Sequence, residues 1–155
     1  MGLLCLWFTL PLSAQPTAAD SSMATQLVAF AETLLGTPYR HAGKTPKAFD
    51  CSGFVHYVFK CFGIAMPASS ALYSKHLGRE VKLSEARAGD IVVFTGTNSA
   101  IRRAGHVGIV TSSDGKNLRF IHASSSAKTN AVTYNFLADG SYRKRFLKVI
   151  RVLPP

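Results

Sequence analysis

The spacing of apolar positions divides the chain into a helical part followed by a strand-rich part. Over residues 23–35, apolar side chains recur every three or four positions, which predicts an amphipathic helix that stops at Gly36. The same spacing recurs over residues 51–62, where Asp50 is a suitable N-cap. The apolar stripe of this second helix consists of Cys51, Val55, Val58 and Phe62. Both helices are therefore expected to press one face into a core.

From residue 79 onward, apolar residues alternate with polar ones or form short continuous runs, as they do in strands. A short helix within residues 66–78 is expected to precede this region. Strands are predicted over residues 90–94, 106–110, 118–123, 131–136 and 146–153. Helices followed by an antiparallel sheet of about five strands indicate an α+β domain, with N-terminal helices packed on a C-terminal sheet.

The segment SSDGKN between the second and third predicted strands is typical of a tight hairpin turn, with its Asp-Gly pair at the centre. Pairing across this turn places residues 108–110 roughly opposite residues 117–121. His106 and His122, sixteen positions apart in the chain, then lie near each other at the open end of the hairpin. The sequence thus predicts a pair of histidines on neighbouring strands.

The first residues of the chain differ in composition from the rest. Residues 1–14 are uncharged and strongly apolar, and small or polar residues follow them. This pattern is typical of the apolar part of a secretory signal, and the run is too short to cross a bilayer. We therefore expect a signal peptide over residues 1–14, a linker over residues 15–22 and a single domain over residues 23–155, exported to the periplasm, the cell envelope or the medium. A buried N-terminal helix is the alternative.

The charge of the chain is strongly positive. The formal net charge is +10, and the densest basic cluster is the segment YRKRFLK at residues 142–148. A positive surface favours anionic partners. For an exported protein we expect electrostatic contact with an anionic envelope polymer, no nucleic acid and no transmembrane segment, and we expect a monomer. A solvated basic face without a specific partner is the alternative.

The cysteines outside the leader raise the question of chemistry. Cys51 and Cys61 are ten positions apart. In a helix their Cα atoms are about 15 Å apart, whereas a disulfide needs about 7 Å or less. A disulfide between them is therefore not expected, and Cys51 is either a buried inert thiol or a reactive one.

A cysteine nucleophile needs a lowered thiol pKa, a base and a group that orients the base. Cys51 at a helix start, His106 and His122 together match these needs, if the sheet packs on that helix. Satisfied core histidines and a zinc site built from the same three side chains are the alternatives, although no metal-binding spacing supports the zinc site. Gly53 is expected to permit close packing near the thiol, so that a larger residue there should reduce activity more than stability.

Six segments in this order carry a resemblance to a known family: GTPYRHAG, FDCSGFVHYVF, MPASS, RAGDIVVF, GHVGIV and FIHAS. Together they resemble the NlpC-type cell-wall cysteine peptidases, which have a papain-like fold. The resemblance implies Cys51 as the nucleophile, His106 as the general base and acid, and His122 as the orienting residue. It also implies roles in substrate binding or oxyanion placement for three neighbours of the nucleophile, namely Tyr39, Asp50 and Ser52.

The same resemblance implies a function. The domain over residues 23–155 would be a peptidoglycan endopeptidase that cuts stem peptides at the bond between γ-D-glutamate and an L-diamino acid, without a cofactor or metal. Two other classes remain open. One is another acyl-transfer enzyme on the same fold, such as an amidase, a transpeptidase or a lipid acyltransferase. The other is a catalytically silent module that binds the cell wall.

Overall fold

The structure, a computed structural model, describes residues 18–154 and the side chains of residues 23–154. Helix α1 runs Ala18–Glu32 and so begins earlier than its apolar spacing predicts, within the predicted linker. The signal peptide predicted over residues 1–14 lies outside the described residues and stays a prediction. None of the helices in the described part of the chain is long and apolar enough to cross a bilayer.

Helix α2 runs Cys51–Cys61, as the apolar stripe predicts. Its buried face includes Phe54, Val55 and Val58, each with no exposed surface. These side chains join the main core, which lies between the two helices and one face of the sheet. Burying a side chain of this size contributes about 1.5–3 kcal/mol, so this face alone anchors α2 firmly to the sheet.

The sheet has six strands, and every neighbouring pair is antiparallel. In spatial order the strands are β3 (Arg79–Val81), β8 (Phe146–Arg151), β4 (Ile91–Thr95), β5 (Ala104–Ser113), β6 (Leu118–Ala123) and β7 (Val132–Phe136). The five predicted strands are all present, and the additional edge strand is β3. Its three residues are too few to show an alternating pattern, so only pairing with β8 reveals it.

Smaller elements complete the described chain. They are the ribbon of β1 (Lys44–Thr45) and β2 (Ala48–Phe49), two 3₁₀-helices at Ser70–Ser74 and Leu83–Glu85, and the short helix α3 (Tyr142–Arg145). Ser70–Ser74 takes the place of the short helix predicted within residues 66–78. A second, smaller apolar cluster, which includes Phe94 and Phe120, covers the face of the sheet opposite α2.

The hairpin between β5 and β6 forms as predicted. The Asp114 side chain accepts the backbone N–H groups of Lys116 and Asn117 at 2.8 and 2.7 Å, and Gly115 has a φ of +84° that favours glycine. Ile109 lies opposite Ile121, within the predicted register. The turn chemistry therefore fixes how the two histidine-bearing strands meet.

Candidate active site

Cys51 is the first residue of α2, and the turn before it is fixed by Asp50. The Asp50 side chain accepts hydrogen bonds from the backbone N–H of Gly53 at 2.6 Å and from the hydroxyl of Ser52 at 3.0 Å, as an N-cap does. Cys51 itself is buried, and its thiol is hydrogen-bonded by backbone N–H groups, among them that of Val107. Because Val107 belongs to β5, the fold brings the thiol against the first strand of the hairpin.

The electrostatic surroundings of the thiol differ from the expectation. Burial raises the pKa of the Cys51 thiol, and the negative charge of Asp50 raises it further. The backbone N–H groups of Val107, Ser52 and Cys51 lower this pKa but do not outweigh burial. The backbone N–H groups at the helix start thus act in the predicted direction, but burial and Asp50 outweigh them, so the thiol pKa is raised and not lowered. The resting thiol is protonated and needs a base to remove its proton.

Replacing Asp50 with asparagine should make Cys51 react faster with iodoacetamide, by about threefold at pH 8, because the thiol pKa falls when the neighbouring charge is removed. Asparagine is also a good N-cap, so the helix start is retained. Peptide mass mapping measures the rate at each cysteine, and the exposed Cys61 is the internal control whose rate should not change. An unchanged rate at Cys51 would show that Asp50 does not influence the thiol.

The two histidines of the hairpin meet through their rings, as predicted. His106 Nε2 and His122 Nδ1 are 2.8 Å apart, and the ring planes are nearly perpendicular. Gly108 follows His106 by two residues in β5, and a Cβ there would lie 2.8 Å from the Phe120 ring and 3.2 Å from the Cβ of His122. The glycine therefore leaves the space that the paired imidazoles need.

The zinc alternative finds no support in this arrangement. The nitrogens that His106 and His122 direct at each other are joined by a direct hydrogen bond, which leaves no space for an ion between them. Within residues 18–154, no cluster of three or more His, Cys, Asp or Glu side chains is arranged to hold a metal ion.

A chain of hydrogen bonds continues beyond His122. His122 Nε2 lies 3.0 Å from Asn135 Oδ1, and Asn135 Nδ2 donates to Asp139 Oδ2 at 3.1 Å. The same carboxylate oxygen accepts the backbone N–H of Phe136 at 2.7 Å. Because an ionised carboxylate only accepts hydrogen bonds, the Asn135 amide directs its N–H at Asp139 and its carbonyl oxygen at His122.

The direction of this chain fixes the proton positions on both imidazoles. Asn135 Oδ1 accepts the hydrogen of His122 Nε2, so the neutral His122 ring has its lone pair at Nδ1. That lone pair accepts the hydrogen of His106 Nε2. The neutral His106 ring therefore has its own lone pair at Nδ1, where it can take a proton from another group.

Both imidazoles are held in the neutral form. Burial, the neighbouring His122 and the charge of Arg145 keep the pKa of His106 well below its ordinary value. Burial lowers the pKa of His122 to about 4, although its hydrogen bond to Asn135 acts in the opposite direction. The ring of Tyr142, with its centroid 5.7 Å from that of His122, helps to cover the pair. At neutral pH His106 is thus a base and not a cation.

Most of the chain matches a known protein family. Residues 36–151 match the model of the NlpC/P60 family, and this span includes Cys51, both histidines and Asn135. The chain belongs to the NlpC/P60 family. The resemblance carried by its sequence motifs is thereby confirmed.

Curated relatives of this NlpC/P60 chain are bacterial proteins. The probable endopeptidase NlpC homolog of Haemophilus influenzae is 33% identical over 120 residues, which cover 77% of this chain and 57% of the relative. The murein DD-endopeptidase MepS/murein LD-carboxypeptidase of Escherichia coli K12 is 34% identical over 119 residues, covering 76% of this chain and 57% of the relative. The chain thus matches little more than half the length of these relatives.

Solved structures agree with the fold. An NlpC/P60 family protein from Bacillus cereus superposes with a TM-score of 0.73 at 30% identity, covering 84% of this chain and 40% of the other. A protein of the same family from Staphylococcus aureus gives a TM-score of 0.72 at 26% identity, covering 93% of this chain and 46% of the other. The predicted α+β architecture is confirmed.

The other predicted residues of the NlpC/P60 site lie around the thiol. Tyr39 is half-buried, and its pKa is raised by burial and by the nearby Cys51 and Asp50. Ser52 is almost fully buried, and its hydroxyl is already engaged by Asp50. Tyr39 and Asp50 therefore retain surface for a substrate, whereas Ser52 supports the turn that presents Cys51.

Three further residues of the candidate site were not predicted from the sequence. Asn135 and Asp139 orient His122, and Tyr73 lies buried close enough to Cys51 that the thiol helps to raise its pKa. A signal for Asn135 was available: it is a polar residue at an alternate position of β7, next to the strand that carries His122. Asp139 and Tyr73 lie outside strands and gave no comparable signal.

Proposed function

We propose that this chain is a cysteine peptidase that hydrolyses the stem peptides of peptidoglycan, with Cys51 as nucleophile, His106 as general base and acid, and His122 as the residue that orients His106. The observation that carries this proposal is the hydrogen-bond chain through Asn135, which leaves His106 Nδ1 as a free base. The names of the Haemophilus influenzae and Escherichia coli relatives, an endopeptidase and a murein DD-endopeptidase, support the substrate.

The first step forms an acyl-enzyme. His106 Nδ1 takes the thiol proton as Cys51 Sγ bonds to the carbonyl carbon of the substrate. Negative charge develops on the carbonyl oxygen, and the backbone N–H of Cys51, which lies at the start of α2 beside the thiol, is a suitable donor to it. While it holds this proton, His106 remains hydrogen-bonded through Nε2 to Nδ1 of the neutral His122, which keeps its ring in place.

The second step releases the amine and then the acid. His106 gives its proton to the leaving nitrogen, the carbon–nitrogen bond breaks, and a thioester remains on Cys51. A water molecule then gives a proton to His106 and attacks the thioester carbon. The thiolate leaves and recovers the proton from His106. Each step uses only groups of this chain, the substrate and water.

The same proposal includes the scissile bond, the residues that bind the peptide and the location of the protein. The scissile bond joins γ-D-glutamate to an L-diamino acid, and Tyr39 and Asp50, which lie beside the thiol, contribute to binding the peptide. The protein is exported by residues 1–14 and acts as a single catalytic domain. The exposed Lys144 of α3 suits contact with an anionic envelope polymer.

Incubation of the purified chain with peptidoglycan sacculi, followed by mass analysis of the released fragments, tests the proposal. We expect fragments in which the α-amino group of the diamino acid is free, and we expect the rate of their release to fall by about 1,000-fold or more in Cys51→Ala. The small change from cysteine to alanine should leave the melting temperature nearly unchanged.

The same fragments separate the alternative functions. Release of sugar-free stem peptides would indicate an amidase, and new cross-links would indicate a transpeptidase. Binding to sacculi without any cleavage would indicate a silent wall-binding module. Digestion by purified Cys51→Ala at the wild-type rate would contradict the cysteine mechanism.

A further inference from the structure

A cavity of about 240 Å³ lies beside the two histidines. Its lining includes His106, His122, Ser124, Ser125, Ser126 and Arg145. Every side chain that lines the cavity carries a polar group, and one of them is the His106 ring that exchanges protons in the proposed reaction. We call it the histidine-side cavity.

No carboxylate of the described side chains pairs with Arg145, which lies in this cavity. One of its guanidinium nitrogens donates to the backbone carbonyl of Thr95 at 3.1 Å, and the guanidinium lies 5.4 Å from the ring centre of Tyr142. Among the described residues, the ion pairs join Arg119, Lys148 and Arg151 to carboxylates, and none involves Arg145.

Arg145 is half-buried, so its charge is only partly accessible to water. The side chain is only partly exposed, and its Nε is buried without a hydrogen-bond partner. A cation held out of water is unfavourable unless an anion compensates it. An anion placed in the histidine-side cavity would meet this need from the open side of the guanidinium.

Two serine hydroxyls in the same cavity have hydrogen atoms to donate. The Ser124 hydroxyl accepts the backbone N–H of Ser126 at 3.2 Å, and the Ser126 hydroxyl accepts that of Lys128 at 3.4 Å. In both bonds the hydroxyl is the acceptor, so its own O–H remains available. A guanidinium with neighbouring hydroxyl donors is suited to a carboxylate.

The position of the cavity assigns it to one half of the substrate. In the proposed mechanism His106 protonates the leaving amine, so the amino acid that follows the scissile bond must lie beside His106. The histidine-side cavity borders that ring. We propose that Arg145, with Ser124 and Ser126, binds a carboxylate of the leaving amino acid, and that the enzyme therefore prefers substrates in which this carboxylate is free. This inference rests on the proposed function and deepens it.

Three synthetic stem peptides test the preference and identify its source. All contain a γ-D-glutamyl bond to diaminopimelate at the end of the chain. The first has both diaminopimelate carboxylates free, the second has the α-carboxylate as an amide, and the third has the side-chain carboxylate as an amide. We expect wild-type kcat/KM to fall roughly tenfold for one of the two amides, mainly through KM, since a charge-assisted contact is lost.

Arg145→Gln should lower kcat/KM for the free peptide by a similar factor and remove the discrimination among the three peptides. Arg145→Lys, which keeps the charge but not the planar fork, should retain part of it. Arg143→Gln is the matched control, because Arg143 is exposed on the same short helix and donates to the carbonyl of Lys116; it should discriminate as the wild type does. Melting temperatures of all variants exclude loss of folded protein as the cause.

Equal kcat/KM for the three peptides, or unchanged discrimination in Arg145→Gln, would overturn the inference while the peptidase activity stands. If the wild type cleaves none of the peptides, the proposed function fails. The carboxylate preference is then tested on its own by measuring how tightly each peptide binds. In Cys51→Ala protein, Kd should be roughly tenfold higher for the disfavoured amide. Equal Kd values for all three peptides would overturn it.

Discussion

Replacing His106 with alanine should reduce kcat for stem-peptide cleavage by about 1,000-fold or more at pH 7. The thiol of Cys51 has a raised pKa, so without a base almost none of it is ionised at this pH. His106 is neutral, and its lone pair at Nδ1 is available to take the proton. Steady-state kinetics on a defined stem peptide measures the loss.

The pH dependence of His106→Ala is a sharper test than the loss itself. Because the thiol must then ionise unaided, the residual kcat should rise about tenfold per pH unit from neutral pH towards the thiol pKa. A structural defect would not produce this slope. Residual activity above a tenth of the wild type at pH 7, or a flat pH profile, would contradict the role of His106 as base.

Removing the residue that orients His122 should reduce kcat less than removing His106 does. Asn135→Leu removes the acceptor that fixes the His122 tautomer, and we expect a loss of about 10- to 100-fold in kcat with little change in KM. Asn98→Leu, at a surface-loop asparagine whose side chain accepts only a local backbone N–H, is the matched control and should retain wild-type kinetics. Equal activity of the two variants would show that Asn135 does not position the base.

Replacing Gly53 with alanine should destabilise the protein by on the order of 3 kcal/mol. A Cβ at Gly53 would overlap the backbone carbonyl oxygen of Gly43, which accepts the backbone N–H of Asp50 at 2.9 Å. The loop before α2 would have to move, and Cys51 would move with it. Stability is therefore expected to fall together with activity, whereas the sequence-based expectation was that activity would fall more than stability.

Urea denaturation measures this effect as a lower midpoint at an unchanged slope. Gly96→Ala is the control, because a Cβ at Gly96 would meet nothing within 4 Å and the glycine has no positive φ. That variant should unfold at a midpoint close to the wild type. If Gly53→Ala is as stable as Gly96→Ala, the close approach of Gly43 to α2 does not constrain the fold.

The positions of the chemically important residues were largely predictable because their signals are local. The Asp-Gly turn fixes the register of β5 and β6, and register alone brings His106 near His122. The capping Asp50 fixes the start of α2 and thereby the position of Cys51. Edge strand β3 and the exposure of Cys61 depend on packing between distant segments and were not predictable in this way.

The sequence by itself determined the helices, the hairpin and the three side chains that carry the proposed chemistry, since periodicity, capping and turn signals act over a few residues. Only the tertiary structure decided how protons are arranged among them. The His122 tautomer depends on Asn135 and Asp139, which reach it from the neighbouring strand and the turn that follows it. The thiol pKa depends on burial, which residue spacing does not encode. Side-chain directions and solvent exclusion arise only when distant segments pack together, and they set the direction of the hydrogen-bond chain that leaves His106 Nδ1 free.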